Sequence, residues 1–137
     1  RFYFKSKQGD FEKMNVKKYL YALLTGSTDL VDVVGSNGIV SSYPNEVKTF
    51  PCVIIEDVNA SDEEFNDNLP NAESVQCRIH IFSKMVKGFA KCEDIAEIVH
   101  SVMRNDYWAM TGNNDTADVD DNIRHRVLDF KREFFHA

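Results

Sequence analysis

Residues 74–83 decide the fold class; they read Ser-Val-Gln-Cys-Arg-Ile-His-Ile-Phe-Ser. Two sets of side chains alternate along this stretch, namely Val75, Cys77, Ile79 and Ile81 in one set and Gln76, Arg78, His80 and Phe82 in the other. Successive side chains of a strand point to opposite faces of its sheet. One uniformly apolar set and one mixed set therefore predict a half-buried strand of an antiparallel sheet.

Further strands are predicted on both sides of this stretch. Residues 52–58 contain a run of β-branched residues, which favours a well-buried strand. Residues 123–135 also alternate, but their apolar positions change parity after Val127. We therefore expect a β-bulge near Val127 and Leu128, because one extra residue would restore the alternation.

Helical spacing of apolar residues predicts two long helices. The first covers about residues 15–25 and begins at Asn15, a favourable N-cap residue. The second covers about residues 87–104. The segments 59–71 and 111–121 are polar and acidic, and we predict that they are mobile loops.

These elements predict one α+β domain over residues 14–137, with two main helices packed on one face of a mainly antiparallel sheet. Residues 1–13 are basic whereas the rest is acidic, and we interpret them as an upstream leader. A genuine N-terminal strand is the alternative, because the segment begins with aromatic strand formers. The expected core consists of Leu20, Leu23, Leu24, Val53, Ile55, Ile79, Ile81, Ile95, Val99 and Phe130.

Composition excludes several classes of protein. The chain has 137 residues and is 43% hydrophobic, as expected for one folded domain rather than a disordered chain. It carries 22 acidic and 16 basic residues, a net charge of −6, whereas a duplex-DNA-binding protein usually has a basic surface. No apolar run is long enough to span a membrane, so no membrane partner is predicted.

No residue pattern is typical of an active site. Three separated cysteines favour buried thiols over a disulfide framework or a zinc site. The four histidines are dispersed, although His80 and His125 could be neighbours on paired strands. An acidic cluster that could bind a hard cation is formed by Asp115, Asp118, Asp120 and Asp121, but it lacks the spacing of a calcium loop. We predict no catalytic residue, no cofactor and no metal site.

The last predicted strand is locally basic, in contrast to the acidic balance of residues 14–137 as a whole. Arg124, Arg126 and Arg132 lie on it together with Lys131. The ordinary interpretation is an edge strand that its charges keep soluble. The functional interpretation is a surface that binds an acidic loop of another subunit, or nucleic acid.

Five stretches together resemble the small tail terminator or tail completion proteins of long-tailed bacteriophages and prophages. They are the helix that begins Asn15-Val-Lys-Lys-Tyr-Leu-Tyr-Ala-Leu-Leu, the pair Tyr43-Pro44, residues 50–55, residues 75–83 and the closing His125-Arg-Val-Leu-Asp-Phe. The resemblance extends over about residues 14–135 and lies in the order and pattern of the elements.

The resemblance implies a structural protein without catalytic residues or cofactor. Such a protein assembles with itself as a hexameric ring, caps the tail tube protein and joins the tail to the head-completion or connector protein. DNA passes through the lumen. The implied location is the virion tail, after assembly in the bacterial host cytoplasm.

The ring that the resemblance implies would need a contact between unlike surfaces. We expect the basic strand to contact an acidic loop of the neighbouring subunit, and the residues concerned are Arg124, Arg126, Arg132, Asp62, Glu63, Glu64, Asp115, Asp118 and Asp120. Two alternatives remain open: a head-completion or connector protein of the virion neck, and a small metal-dependent α+β enzyme that uses the acidic loops.

Overall fold

The computed structural model describes residues 3–5, 11–13, 15–42, 44, 46–47, 49–62, 65–66, 69–70, 72–116 and 122–135. The helices are α1 (Val16–Thr25), α2 (Thr28–Val34) and α3 (Cys92–Asn105). The strands are β1 (Tyr3–Lys5), β2 (Phe11–Lys13), β3 (Ile39–Val40), β4 (Cys52–Asp62), β5 (Phe65–Asn66), β6 (Leu69–Pro70), β7 (Ala72–Lys84), β8 (Ala109–Asp115) and β9 (Ile123–Phe135).

Five strands form one sheet in the order β3-β4-β7-β9-β8. Only β3 runs parallel to its neighbour; the other three pairs are antiparallel. The strand that contains residues 74–83 lies at the centre, between β4 and β9. The predicted α+β fold with a mainly antiparallel sheet is therefore confirmed.

Local signals explain the ends of the helices. The Asn15 side chain accepts a hydrogen bond of 3.1 Å from the backbone N–H of Lys18, which caps α1. The second long helix begins at Cys92, so the predicted start near residue 87 is wrong. Gly88 has a φ of 98°, which a right-handed helix cannot contain. Residues 85–91 consequently form the connection from β7 to α3.

The helices cover one face of the sheet. Their apolar stripes pack against the odd-numbered side chains of β7, so that Ile79 and Ile81 are fully buried. All ten predicted core residues are buried except Leu23, which is half-buried. A second, smaller apolar cluster lies on the opposite face, where Phe82 packs with Ile54 and Ile123.

This second cluster explains the parity change in β9. The pairing of β9 with β7 is continuous from Ile123 to Phe135, so the bulge expected near Val127 and Leu128 is absent. Ile123 faces the smaller cluster, whereas Leu128 and Phe130 face the helices. The apolar residues therefore change face because each end of the strand has a different cover, and no extra residue is needed.

Most described residues of the two predicted loops belong to strands, while residues 63–64, 67–68, 71 and 117–121 lie outside the described residues. Residues 59–62 extend β4, and β5 and β6 form a small antiparallel pair within the segment 59–71. Residues 111–115 belong to β8, which also corrects the second loop. The register shifts on β4 between Asp57 and Asn59 and on β8 between Met110 and Gly112. Residues 111–115 are mostly exposed polar residues of the edge strand β8, so composition alone indicated a loop.

The N-terminal segment contains β1 and β2, which pair in antiparallel fashion with Tyr3 opposite Lys13. The described residues of this segment are therefore strands, as the alternative interpretation expected. Whether residues 1–13 are an upstream leader stays a prediction. Among the described residues, no helix is long and apolar enough to cross a membrane.

Candidate assembly surface

The predicted basic contact strand is β9, and it is an interior strand of the sheet rather than an edge strand. Paired residues of adjacent strands share a face. Arg126 pairs with Ile81 and Arg132 pairs with Val75, whose side chains belong to the helix-covered core. Both arginines therefore point to the helix layer, and the side chain of each is only 16% exposed.

At the end of the helix layer, side chains of the same chain contact the guanidinium group of Arg126. One guanidinium nitrogen donates a hydrogen bond of 2.7 Å to Asn113 Oδ1. The other lies 3.0 Å from a carboxylate oxygen of Asp115 and 3.9 Å from one of Glu93. Arg126 and Asp115, which we placed on opposite sides of a subunit contact, are thus partners within one chain.

Arg132 is the centre of a second internal cluster. One of its nitrogens lies 2.8 Å from Asp106 Oδ2 and donates to the Asp106 carbonyl oxygen at 2.6 Å. The guanidinium carbon lies 4.2 Å from the centroid of the Phe134 ring. Tyr19 donates its hydroxyl hydrogen to Asp106, and this cluster ties α1 to the end of α3.

The position of Tyr19 in this cluster raises the pKa of its hydroxyl. Burial raises the pKa of its hydroxyl, and the hydrogen bond to the negative Asp106 raises it further. The positive Arg132 acts in the opposite direction but does not reverse the shift. Tyr19 therefore stays protonated as a hydrogen-bond donor in this site.

A surface-exposed tyrosine follows this cluster in an unusual conformation. Tyr107 has a φ of 69° and is 81% exposed. Its N–H donates to the Arg104 carbonyl and the Trp108 N–H donates to the Met103 carbonyl, which is the Schellman pattern that ends a helix. Glycine usually occupies this left-handed position, because a side chain there is strained. Tyr107 and Phe135, which is 56% exposed, lie at one end of the sheet and line the same surface depression.

The opposite end of the sheet carries a basic surface that includes Arg124. Arg124 lines a concavity together with Lys84, Lys87 and Lys91 at the β7–α3 connection, and the carboxylates of Glu93 and Asp115 line it on another side, so basic residues outnumber acidic ones there. Two large apolar side chains in that connection are also exposed, Met85 at 51% and Val86 at 42%. We call these six residues the basic end. Of the three arginines in the contact prediction, only Arg124 is exposed.

A chain of polar side chains crosses the sheet face that the helices leave uncovered. His80 Nε2 lies 2.9 Å from Glu56 Oε1, and His80 Nδ1 lies 2.9 Å from His125 Nε2. His125 Nδ1 lies 2.8 Å from Thr116 Oγ1. All three contacts are satisfied when each Nε2–H donates and the Thr116 hydroxyl donates to His125. The two histidines are thus neighbours, as the sequence allowed, and bond each other directly.

This arrangement has the character of a structural network. The His125 ring stacks on Phe82 with centroids 4.0 Å apart, which fixes its orientation. Within the described part of the chain, no group of three His, Cys, Asp or Glu side chains is arranged to hold a metal ion. The three cysteines are buried and form no disulfide, and burial raises the pKa of the Cys52 and Cys92 thiols to about 11. At neutral pH these thiols are therefore poor nucleophiles.

The acidic side of the predicted contact lies mostly outside the described residues. Asp115 is described, and its partner is Arg126. Asp62 ends β4, and nothing further is described of its side chain. Glu63, Glu64, Asp118 and Asp120 fall outside the described residues. The intersubunit contact through these nine residues stays a prediction.

Several features of this surface were not predicted from the sequence. The Schellman turn at Tyr107 was missed because the motif usually carries glycine. The basic end was missed because Lys87 and Lys91 fell within the predicted helix 87–104, and because Arg124 is distant from them in sequence. The role of Asp106 as the partner of Arg132 depends on a contact between residues 26 positions apart, which no local pattern reveals.

Comparison with known proteins finds a matching family model and solved structures with a similar fold. The family model of Tail completion protein gp17 matches residues 18–132. A chain in the virion of a native gene transfer agent particle has a similar fold, with a TM-score of 0.55, 12% identity, and coverage of 85% of this chain and 91% of that one. The gp17 protein of bacteriophage SPP1 is similar with a TM-score of 0.53, 15% identity, and coverage of 85% and 86%.

No curated protein sequence matches the chain closely enough to count as a relative. The two structural matches have low sequence identity, so they bear on the fold alone. The family match extends over most of the chain and confirms the resemblance to tail completion proteins. The chain belongs to the Tail completion protein gp17 family.

Proposed function

We propose that this chain is a structural protein that completes a phage or prophage tail by closing the tail tube as a homo-oligomeric ring. The ring is hexameric, contacts the tail tube protein on one side and the head-completion or connector protein on the other, and lets DNA pass through its lumen. It acts in the virion tail after assembly in the host cytoplasm. The observation that carries this proposal is the family match over residues 18–132.

The surface described above supports head-to-tail assembly. A closed ring of identical subunits needs two unlike surfaces on each subunit. The chain has a basic end around Arg124 and an aromatic end around Tyr107 and Phe135, and these lie at opposite ends of the sheet. Exposed Met85, Val86 and Tyr107 are apolar groups of the kind that a partner commonly covers.

Exposure limits the basic side of the predicted contact to one arginine, Arg124. The side chains of Arg126 and Arg132 point to the helix layer and are each only 16% exposed, so a neighbouring subunit has little access to them. Arg124 is exposed and lies beside three lysines. We assign the basic side of the contact to Arg124, and its acidic partners to Asp62, Glu63 and Glu64 or to Asp118 and Asp120 of the neighbour.

Charge reversal at Arg124 tests this contact. Arg124→Glu should slow ring assembly and weaken its response to salt, because exposed charges mainly steer encounter. Arg124→Lys is the matched control and should assemble like the wild-type chain. Ring assembly of Arg124→Glu at the wild-type rate in low salt would remove Arg124 from the contact.

Two binding experiments separate the proposal from its rivals. The tail proposal predicts that the chain binds the ends of purified tail tubes, whereas a head-completion protein would bind connector rings without requiring tubes. A nucleic-acid-binding strand predicts salt-dependent, micromolar-range affinity for duplex DNA that Arg124→Glu abolishes. Such DNA affinity would overturn the assignment of Arg124 to a protein contact.

A further inference from the structure

The sheet ends in two open edges that belong to different strands. On one side, β8 pairs only with β9, so its outer edge has no strand partner among the described residues. On the other side, β3 covers β4 only at Val53 and Ile54. In the described structure, no strand pairs with the outer edge of β4 from Ile55 to Asp62. Each edge presents backbone N–H and C=O groups that could form a ladder with another chain.

The directions of the strands allow the two edges to join. From β4 to β7, β9 and β8, each strand is antiparallel to the one before it. β8 is therefore antiparallel to β4. If a second copy continues the sheet in the same orientation, β8 of one copy meets β4 of the next as an antiparallel pair, which is the favoured geometry for direct strand pairing.

The strand register places the open segment of β8 and the open segment of β4 at the same position along the strand direction. Ala109 pairs with Lys131, which pairs with Gln76, which pairs with Asn59. At the other end, Asn113 is connected in the same way through Leu128 and Ile79 to Ile55. The segment 109–113 of β8 therefore lies level with the open segment 55–59 of β4. The short β3 lies beyond that segment, next to Val53 and Ile54, so it does not block the join.

The chemistry of β8 favours pairing over protection. Edge strands are commonly protected by proline or by lysine. The seven residues of β8 read Ala-Met-Thr-Gly-Asn-Asn-Asp and include neither. Its segment 109–113 carries no charge, so it opposes Glu56 and Asp57 of β4 without like-charge repulsion. Its protective features are the charge of Asp115 at its end, outside the segment 109–113, and the bulge at Met110 and Gly112. β4 has a bulge at nearly the same position along the sheet, between Asp57 and Asn59.

The hydrogen bond at the end of β8 shows which backbone groups point outward. The Thr116 N–H donates to the His125 carbonyl at 3.0 Å, so Thr116 directs its backbone groups toward β9. Inward and outward directions alternate along an antiparallel strand. Asn114 therefore points toward β9, and Asn113 and Asp115 present their N–H and C=O groups to the outer edge.

We propose that β8 of one copy adds to the open edge of β4 in the next copy, so that the ring contains one continuous sheet. This inference rests on the proposed ring and names the surface that closes it. The partner is a second copy of this chain, selected by strand direction, matching height and the outward N–H of Asn113.

One pair of variants at Asn113 tests the proposal. Asn113→Pro removes the outward N–H and leaves the β8–β9 ladder intact, because proline is tolerated on an edge strand when its nitrogen faces outward. Asn113→Ala is the matched control: it also loses the hydrogen bond to Arg126 but keeps the backbone N–H. Circular dichroism and thermal unfolding of both monomers establish whether each variant is folded.

The expected result is a difference in assembly between two folded variants. Sedimentation should show the concentration for half-maximal ring formation increased by about tenfold or more in Asn113→Pro, relative to Asn113→Ala. Equal assembly of the two variants overturns the edge pairing but leaves the ring in place. If the wild-type chain forms no ring, alone or with tail tubes, the proposed function fails and this inference fails with it.

Hydrogen exchange on the wild-type chain gives a second test that needs no variant. Peptides covering residues 107–116 and 55–62 should exchange more slowly in the ring than in the monomer, since outward N–H groups become bonded. Unchanged exchange in both peptides between monomer and ring would contradict the proposal even if Asn113→Pro did not fold.

Discussion

Replacement of Arg132 by methionine tests whether this arginine is an internal structural group. Methionine keeps an unbranched stem that can still pack on Phe134, but it removes the guanidinium. The substitution eliminates the ion pair with Asp106 Oδ2 at 2.8 Å and the hydrogen bond to the Asp106 carbonyl at 2.6 Å. The Asp106 side chain is only 25% exposed, and the substitution removes its ion pair with this guanidinium.

The expected decrease in the free energy of unfolding follows from the loss of these two interactions. A hydrogen bond to a charged group contributes about 1.5–3 kcal/mol, and removal of one partner from a fully buried pair costs about 3–5 kcal/mol. Partial exposure of both side chains reduces this because water screens the remaining charge. We expect Arg132→Met to lower the free energy of unfolding of the monomer by about 2–3 kcal/mol.

Urea unfolding of the monomer measures this change directly. Arg124→Met is the matched control, since Arg124 lies on the same strand but is exposed, and it should change stability by less than about 0.5 kcal/mol. A double variant with Asp106→Asn should be less destabilised than the sum of the single variants. If Arg132→Met and Arg124→Met had equal effects, the internal role of Arg132 would be refuted.

Three further predictions concern the core, a helix end and the thiols. Ile79→Ala should lower the free energy of unfolding by about 2–4 kcal/mol in urea titrations, because it leaves a cavity under the helices. A decrease in that free energy of less than about 1 kcal/mol, close to the range of surface changes, would contradict the burial of Ile79. Tyr107→Gly should raise the monomer's stability by about 0.5–1 kcal/mol in thermal unfolding, because glycine is unstrained at positive φ; a clear destabilisation would refute the strain. Burial raises the pKa of the Cys52 and Cys92 thiols to about 11, so the folded chain binds more protons than the unfolded chain above the ordinary thiol pKa. Their contribution to stability should be complete below that value and be lost as pH rises toward 11, and the C52A/C92A variant should lack this part of the pH dependence.

The central sheet was predictable because burial imposes a strict period on it. The alternation over residues 74–83 directly reflects a strand with helices on one face. The same reasoning misplaced a bulge in β9, since it assumed a single apolar face. Ile123 faces a second small cluster with Phe82, and a single sequence does not reveal that both faces are covered at that end.

The candidate surface was less predictable because it depends on contacts between distant residues. Arg126 and Arg132 look like a basic strip in the sequence, but the helix layer supplies Asp106 and Glu93 as partners. The polar composition of residues 111–115 indicates a loop, but these residues belong to the edge strand β8, which pairs with β9. Composition identifies such residues as polar, whereas their pairing is decided by tertiary structure.

The most direct test of the central claim is electron microscopy of the purified chain mixed with tail tubes of the same virion. The account predicts a closed ring seated at one end of each tube, and tubes that no longer elongate. The mass of the isolated ring should be six times the 15.7 kDa of the chain. Tubes that remain uncapped and continue to grow, with the chain still monomeric beside them, would contradict the account.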